Sequence, residues 1–188
     1  MASKVTMKFI VGLFLSCVLI GYGEGLASVN DLTWVNDWEE AVYFTCQPNE
    51  VIHRIASVHW NSKEDRLWGF ECAAAPSNFT QCVWSGYANN YDSILNFQCF
   101  SNAVIAGVHS VFDKSHDDRQ WQYLCCELSG NLAMTTCIQT PYVNEYDEDL
   151  DYKMPDQYYW RGVHSTHSNN KEDRIWLFNS CQYTRTSC

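Results

Sequence analysis

Hydrophobic and polar residues alternate along much of this chain, with a period of two. From Arg66 to Cys72 one set of alternate positions reads Arg66, Trp68, Phe70, Cys72 and the other Leu67, Gly69, Glu71. Successive side chains of a strand point to opposite faces, so the first set shares one face. Val51 to His59 is rich in β-branched residues and predicts a second strand. The polar run Asn61-Ser62-Lys63-Glu64-Asp65 between them predicts the turn of a hairpin. A further strand is expected near Val42 to Cys46. No stretch after the first 27 residues sustains a helical period.

This pattern occurs three times. Asp65-Arg66-Leu67-Trp68-Gly69-Phe70 returns as Asp118-Arg119-Gln120-Trp121-Gln122-Tyr123 and as Asp173-Arg174-Ile175-Trp176-Leu177-Phe178, at shifts of 53 and 55 residues. The same shifts align Trp34-Val35-Asn36-Asp37-Trp38 with Tyr87-Ala88-Asn89-Asn90-Tyr91 and Tyr142-Val143-Asn144-Glu145-Tyr146. Register held over three copies defines an internal repeat. The face bearing Arg66, Trp68 and Phe70 keeps its chemistry in each copy, so it is expected to pack against its symmetry mates. The predicted fold is all-β: one compact, disulfide-stapled domain over 28–188, with pseudo-threefold symmetry of a β-trefoil-like or β-prism-like kind. The repeats run about 29–81, 82–136 and 137–188.

The start of the chain is different. Lys4 and Lys8 precede an apolar run from Phe9 to Ile20, followed by Gly21, Gly23, Gly25 and Ala27. That predicts a secretory signal over 1–27. The run falls short of the ~20 residues that a bilayer requires, so no membrane span is expected. Secretion favours disulfides, and the repeats suggest which ones. Cys46 and Cys99 are equivalent, as are Cys72 and Cys125; the third repeat lacks both partners, with Met154 and Ser180 in their places. Cys82 matches Cys137 and Cys126 matches Cys181, and here the first repeat lacks both. Paired absence predicts Cys46–Cys72, Cys99–Cys125, Cys82–Cys126 and Cys137–Cys181. Cys188 is left over, free or open to an intermolecular bridge.

Net charge is −10, which disfavours nucleic acid as a partner. Asn78-Phe79-Thr80 is an N-glycosylation sequon at Asn78. Two repeated blocks carry candidate chemistry. Asp65, Arg66 and Trp68, with Asp118, Arg119, Trp121 and Asp173, Arg174, Trp176, offer guanidinium, carboxylate and indole. They suit a sugar or sulfate, or internal pairing that pins each hairpin. Trp34, Asn36 and Trp38, with Tyr87, Asn89, Tyr91 and Tyr142, Asn144, Tyr146, suit a sugar platform if extended: rings stack on C–H faces and amides bond hydroxyls. The competing reading is a packed corner with Asn in a turn. Asp147, Asp149 and Asp151 match the first positions of an EF-hand loop, but Tyr152 and Tyr158 stand where Gly and Glu are required. His59 and His167 are repeat-equivalent, which suggests packing, and no zinc spacing is present, so no metal or cofactor is expected. No catalytic constellation appears, and the chain reads as a non-enzyme.

The repeated Asp-Arg-x-Trp-x-(Phe/Tyr) block, Trp34-Val35-Asn36, the pair Cys125-Cys126 and the acidic, tyrosine-rich stretch after Cys137 resemble the dermatopontin family over essentially the whole chain from Trp34. The resemblance implies a secreted, adhesive, non-enzymatic protein. Vertebrate members are matrix proteins associated with collagen fibrils, proteoglycan and cell adhesion. Invertebrate members agglutinate or aggregate cells, or occur in shell matrix. Matrix organisation through collagen or proteoglycan is therefore one expectation, a multivalent lectin-like hemagglutinin acting on cell-surface glycans is a second, and a shell-matrix protein is a third. Tyr146 and Tyr152, among acids, are candidates for the sulfation that the resemblance suggests. Vertebrate members carry a further cysteine after the adjacent pair, whereas Ser129 to Thr136 contains none.

Overall fold

The computed structural model describes residues 31–186. The expected signal segment and Cys188 lie outside them. Eleven strands and no α-helix are present among the described residues. Three long hairpins dominate: β2 (Glu50–Trp60) with β3 (Asp65–Ala74), β6 (Ala103–Asp113) with β7 (Asp118–Leu128), and β10 (Tyr159–Ser168) with β11 (Asp173–Arg185). Each turns through a loop that ends on a left-handed residue, Glu64, Asp117 or Glu172, at φ 49°, 42° and 43°. A short strand precedes each hairpin: β1 (Val42–Thr45), β5 (Leu95–Gln98) and β9 (Leu150–Lys153). β4 (Phe79–Trp84) and β8 (Leu132–Gln139) follow the first two hairpins.

The short strands do not pair with their own hairpins. β1 lies on β6, β5 on β10, and β9 returns to β2. The sheets are therefore β1-β6-β7-β4, β5-β10-β11-β8 and β3-β2-β9. Each repeat hands a strand to the next, and the third hands one back to the first, so the exchange closes on itself. Every hairpin carries a bulge at the same place, between Ile52 and Arg54, Ile105 and Gly107, and Trp160 and Gly162. At Gly107 the neighbouring short strand passes so close that a Cβ would lie 2.9 Å from the Phe44 carbonyl.

The repeated face is the core. Trp68, Trp121 and Trp176 meet edge-to-face in a closed triangle, with centroids 4.8, 5.2 and 5.3 Å apart. Edge-to-face geometry sets a positive ring edge against a negative face. Next along the strands, Phe70, Tyr123 and Phe178 each stack on the aromatic of a short strand: Phe44, Phe97 and Tyr152 at 5.1, 4.8 and 5.5 Å. Burial holds the Tyr123 hydroxyl far above its usual pKa. Four disulfides complete the frame: Cys46–Cys72, Cys99–Cys125, Cys82–Cys126 and Cys137–Cys181. Adjacent Cys125 and Cys126 point to opposite faces of β7. One therefore ties β7 to the end of β5, the other to β4.

Candidate functional site

The three aromatic–Asn–aromatic blocks lie along β3, β7 and β11 without joining the sheets as full strands. Val35, Ala88 and Val143 each donate a backbone N–H to the carbonyl of Trp68, Trp121 or Trp176, at 2.8, 2.7 and 2.8 Å. The asparagine between the rings turns inward. Asn36 Oδ1 accepts the Trp68 N–H at 2.9 Å, and its amide donates to the carbonyls of Arg66 and Asp37. Asn89 and Asn144 repeat this with Trp121 and Arg119, and with Trp176 and Arg174. All three amides are buried. Each one bonds backbone groups that would otherwise be orphaned, so it is committed as a clip. The chain then turns, with Glu39, Asp92 and Asp147 in the left-handed region. Within each block the chain already bends at Val35, Ala88 or Val143 and enters the turn at the second ring, so the block is not the extended strand that would put both rings on one face.

The rings go different ways. Trp34 is half-buried and bridges to Gly69, and Trp38 packs edge-on against Trp60 at 5.3 Å. Tyr91 stacks on His116 at 4.8 Å. Tyr146 is half-buried, and burial raises its pKa. Tyr87 and Tyr142 are the exposed members, at 51% and 42%. The sequence reading missed a further exposed group on the β1-β6-β7-β4 sheet. Tyr43, 63% exposed, lies 5.8 Å from Trp84 and 6.0 Å from His109. Tyr43 and Trp84 edge a groove of about 490 Å³ that also presents Gln47, Asn49 and Gln81. No repeat signal could have found it, because Asn96 and Asp151 occupy the positions equivalent to Tyr43.

The Asp-Arg-x-Trp blocks form a ring of ion pairs around the axis. Each arginine reaches the aspartate of the preceding repeat in cyclic order. Arg119 holds Asp65 through Nε and Nη2 at 2.7 and 2.8 Å, Arg174 holds Asp118 at 2.6 Å twice, and Arg66 holds Asp173 at 2.6 and 2.7 Å. Each Nη2 also donates to a backbone carbonyl, of Glu40, Ser93 or Glu148, at 2.9 Å. Each aspartate also accepts the N–H of a left-handed turn residue: Glu39 at 2.6 Å, and Asp92 and Asp147 at 2.9 Å. All six side chains are 2–5% exposed. The cavity among them measures about 30 Å³, while pockets for small ligands run to hundreds. This block is therefore an internal latch between repeats, with no room for a sugar.

The acidic stretch is dispersed. Asp151 in β9 receives a bidentate pair of bonds from Arg54 at 2.8 Å, and Arg54 also reaches Glu71 at 2.8 Å. Asp147 faces His59 and Lys171, and buried Leu150 separates the two aspartates. Arg54 was a second omission of the sequence reading. Its signal was visible, since Gly107 and Gly162 hold the same place in the other repeats. Tyr152 is half-buried on Phe178, and Asn78 is exposed.

The geometry defines a class: a three-repeat, strand-exchanged, disulfide-stapled β protein with a latched core and an aromatic, acidic surface. The Dermatopontin family model matches residues 36–185, and the chain belongs to that family. It is 41% identical over 150 residues to the hemagglutinin/amebocyte aggregation factor of Limulus polyphemus, covering 79% of this chain and 87% of that protein. It is 35% identical over 161 residues to Millepora cytotoxin-1 of Millepora dichotoma, covering 86% and 71%. To mouse dermatopontin it is 30% identical over 177 residues, covering 89% and 87%. No solved structure matches the chain. Among the described residues, no helix is long and apolar enough to cross a membrane.

Proposed function

We propose that the protein is a secreted, non-enzymatic adhesion protein that bridges cells or matrix by binding glycans at several places on its surface. The observation that carries this is the exposure of Tyr43, Tyr87 and Tyr142, at 63%, 51% and 42%, on strands and loops of different repeats. Exposed rings cost hydration free energy unless a partner covers them, and rings suit the C–H faces of sugars. Several sites on one rigid body supply the multivalency that agglutination requires. The Limulus relative is named for hemagglutination and cell aggregation, in line with this reading. The groove at Tyr43 and Trp84 offers Gln47, Gln81 and Asn49 as polar partners for hydroxyls.

Binding runs through the rings and not through Asn36, Asn89 or Asn144, whose amides are spent inside. Red-cell agglutination by the secreted protein, with sugar competition, tests this. The Tyr43→Ala/Tyr87→Ala/Tyr142→Ala variant is expected to keep its fold by circular dichroism and to lose sugar-blocked clumping. Asn89→Ala is expected to destabilise the protein by about 1–3 kcal/mol, because a buried N–H and carbonyl lose their partner. Clumping that survives the triple tyrosine change contradicts the reading.

The second reading is matrix organisation through collagen, proteoglycan or mineral. It is supported by the acidic, tyrosine-rich surface around Tyr146 to Tyr152, with sulfation of Tyr146 or Tyr152 as an added anionic handle. An absence of clumping at any concentration, with retention on collagen or proteoglycan, selects it.

A further inference from the structure

We propose that the chain holds two divalent transition-metal sites, one at each of two equivalent seams between repeats, built on His59 and His167. The side chains of His59 and His167 are 0% and 1% exposed. Nδ1 of His59 lies 3.3 Å from Oδ1 of Asn61, but its Nε2, both ring nitrogens of His167 and Oδ1 of Asp147 have no hydrogen-bond partner. Buried imidazoles are nearly always bonded, so these call for a partner.

What surrounds them is carboxylate. Asp147 Oδ1 lies 3.9 Å from Nδ1 of His59, and Glu64 and Asp173 lie 3.9 and 4.0 Å from its Nε2. At His167 the matching distances are 3.7 Å to Asp92, 3.8 Å to Glu172 and 4.0 Å to Asp118. His59, Asp147 and Asp173 each offer an atom within 4.8 Å of the others, and so do His167, Asp92 and Asp118. These gaps are too long for hydrogen bonds. Around the unpartnered Nε2 of each ring, the gaps to Glu64 and Asp173 or to Glu172 and Asp118 exceed by roughly half an ångström the spacing of ligands held at ~2.1 Å around one ion, a difference that small side-chain rotations close, while Asp147 and Asp92 stand on the Nδ1 side.

The charges agree. Around His59 stand Glu64, Asp147 and Asp173, against Arg66 on Asp173 and Lys171 on Asp147, leaving one negative charge uncompensated. Imidazole with carboxylate suits zinc, manganese or cobalt.

The third seam is an internal control. Phe112 takes the histidine's place there, and the corresponding carboxylate, Glu39, accepts from Lys114 at 2.7 Å in addition to Lys63 at 3.5 Å, the counterpart of Lys171 on Asp147. Phenylalanine is thus compatible with the fold at this position, and it supplies the variant.

Calorimetry and metal analysis of the secreted full-length protein, stripped with chelator and titrated with Zn²⁺, test the assignment, with Ca²⁺ for comparison. Two zinc ions per chain are expected. His59→Phe and His167→Phe should each retain one, and the double variant should retain neither, with affinity lost at least tenfold at each altered site. His116→Ala, a change at an exposed histidine, should still bind two. The imidazole ¹⁵N shifts of His59 and His167 should move on zinc addition. No zinc uptake, or a stoichiometry that the double phenylalanine variant leaves unchanged, overturns the proposal. So would imidazole shifts that follow pH alone.

Discussion

In two of the three repeats a disulfide ties the exchanged short strand back to its own hairpin, stapling the seam where that strand crosses to the next repeat, and in the third it does not. Cys46–Cys72 joins the end of β1 to hairpin β2-β3, and Cys99–Cys125 joins the end of β5 to hairpin β6-β7. At the seam where β9 returns to β2, the equivalent positions are Met154, 1% exposed, and Ser180, whose buried hydroxyl has no partner. All three seams share the Arg–Asp latch and the stacked aromatic pair. The unstapled seam adds Arg54, bound to Asp151 and Glu71, where the stapled ones have Gly107 and Gly162. One architecture is thus closed in two ways, by a covalent link or by a buried guanidinium with a methionine plug. The lesson is that the strand exchange, and not any one fastening, is what the three repeats have in common.

The latch is the strongest test of what they share. Arg119→Ala or Arg66→Ala leaves a buried aspartate without its counter-ion and should cost about 3–5 kcal/mol in denaturant unfolding. If the staple carries its seam, Arg66→Ala, at the unstapled one, will open that seam locally, while Arg119→Ala will not. Removing one staple as Cys46→Ala/Cys72→Ala should cost about 3 kcal/mol, chiefly through the unfolded chain. Arg54→Ala should cost less, about 2 kcal/mol, because Glu71 and Asp151 are 43% and 28% exposed and rehydrate. A third staple, Met154→Cys/Ser180→Cys, should make the seams alike and gain about 1–2 kcal/mol after the loss of methionine packing.

The smallest effect lies at the surface, on the turn of hairpin β6-β7. Bonds from Ser115 and His116 hold the Asp113 carboxyl down at about 2, and Asp113 holds the His116 pKa above its usual value. The depressed Asp113 contributes stability that is present above the ordinary carboxylate range and is lost as pH falls through about 2. The raised His116 contributes stability that is present below 6.5 and is lost as pH rises through its folded value. A pH series on Asp113→Asn should show a shallow loss between those limits and nothing beyond them.

Much of this was legible because the repeats are an internal alignment. The all-β fold, the packed Arg–Trp–Phe face and the cysteine partnerships all follow from which positions recur or vanish together. The strand exchange was not legible, since periodicity says that β1 exists and is silent on whether it pairs with β2 or β6. The inward turn of Asn36 was hidden for a related reason: an amide between two aromatics suits a sugar or a backbone clip equally, and only the Trp68 N–H decides. The Tyr43 and Trp84 groove occurs in one repeat alone, where self-comparison gives no signal.

The most direct measurement is native-state hydrogen exchange on the three equivalent short strands. If the staples confine local opening, the β9 amides of Asp151 to Lys153 will exchange measurably faster than those of β1 and β5, and the Met154→Cys/Ser180→Cys bond will slow them to match. Equal protection in all three strands, or slower exchange in β9, would show that Arg54 and Met154 close their seam as well as a disulfide does, and would contradict the distinction.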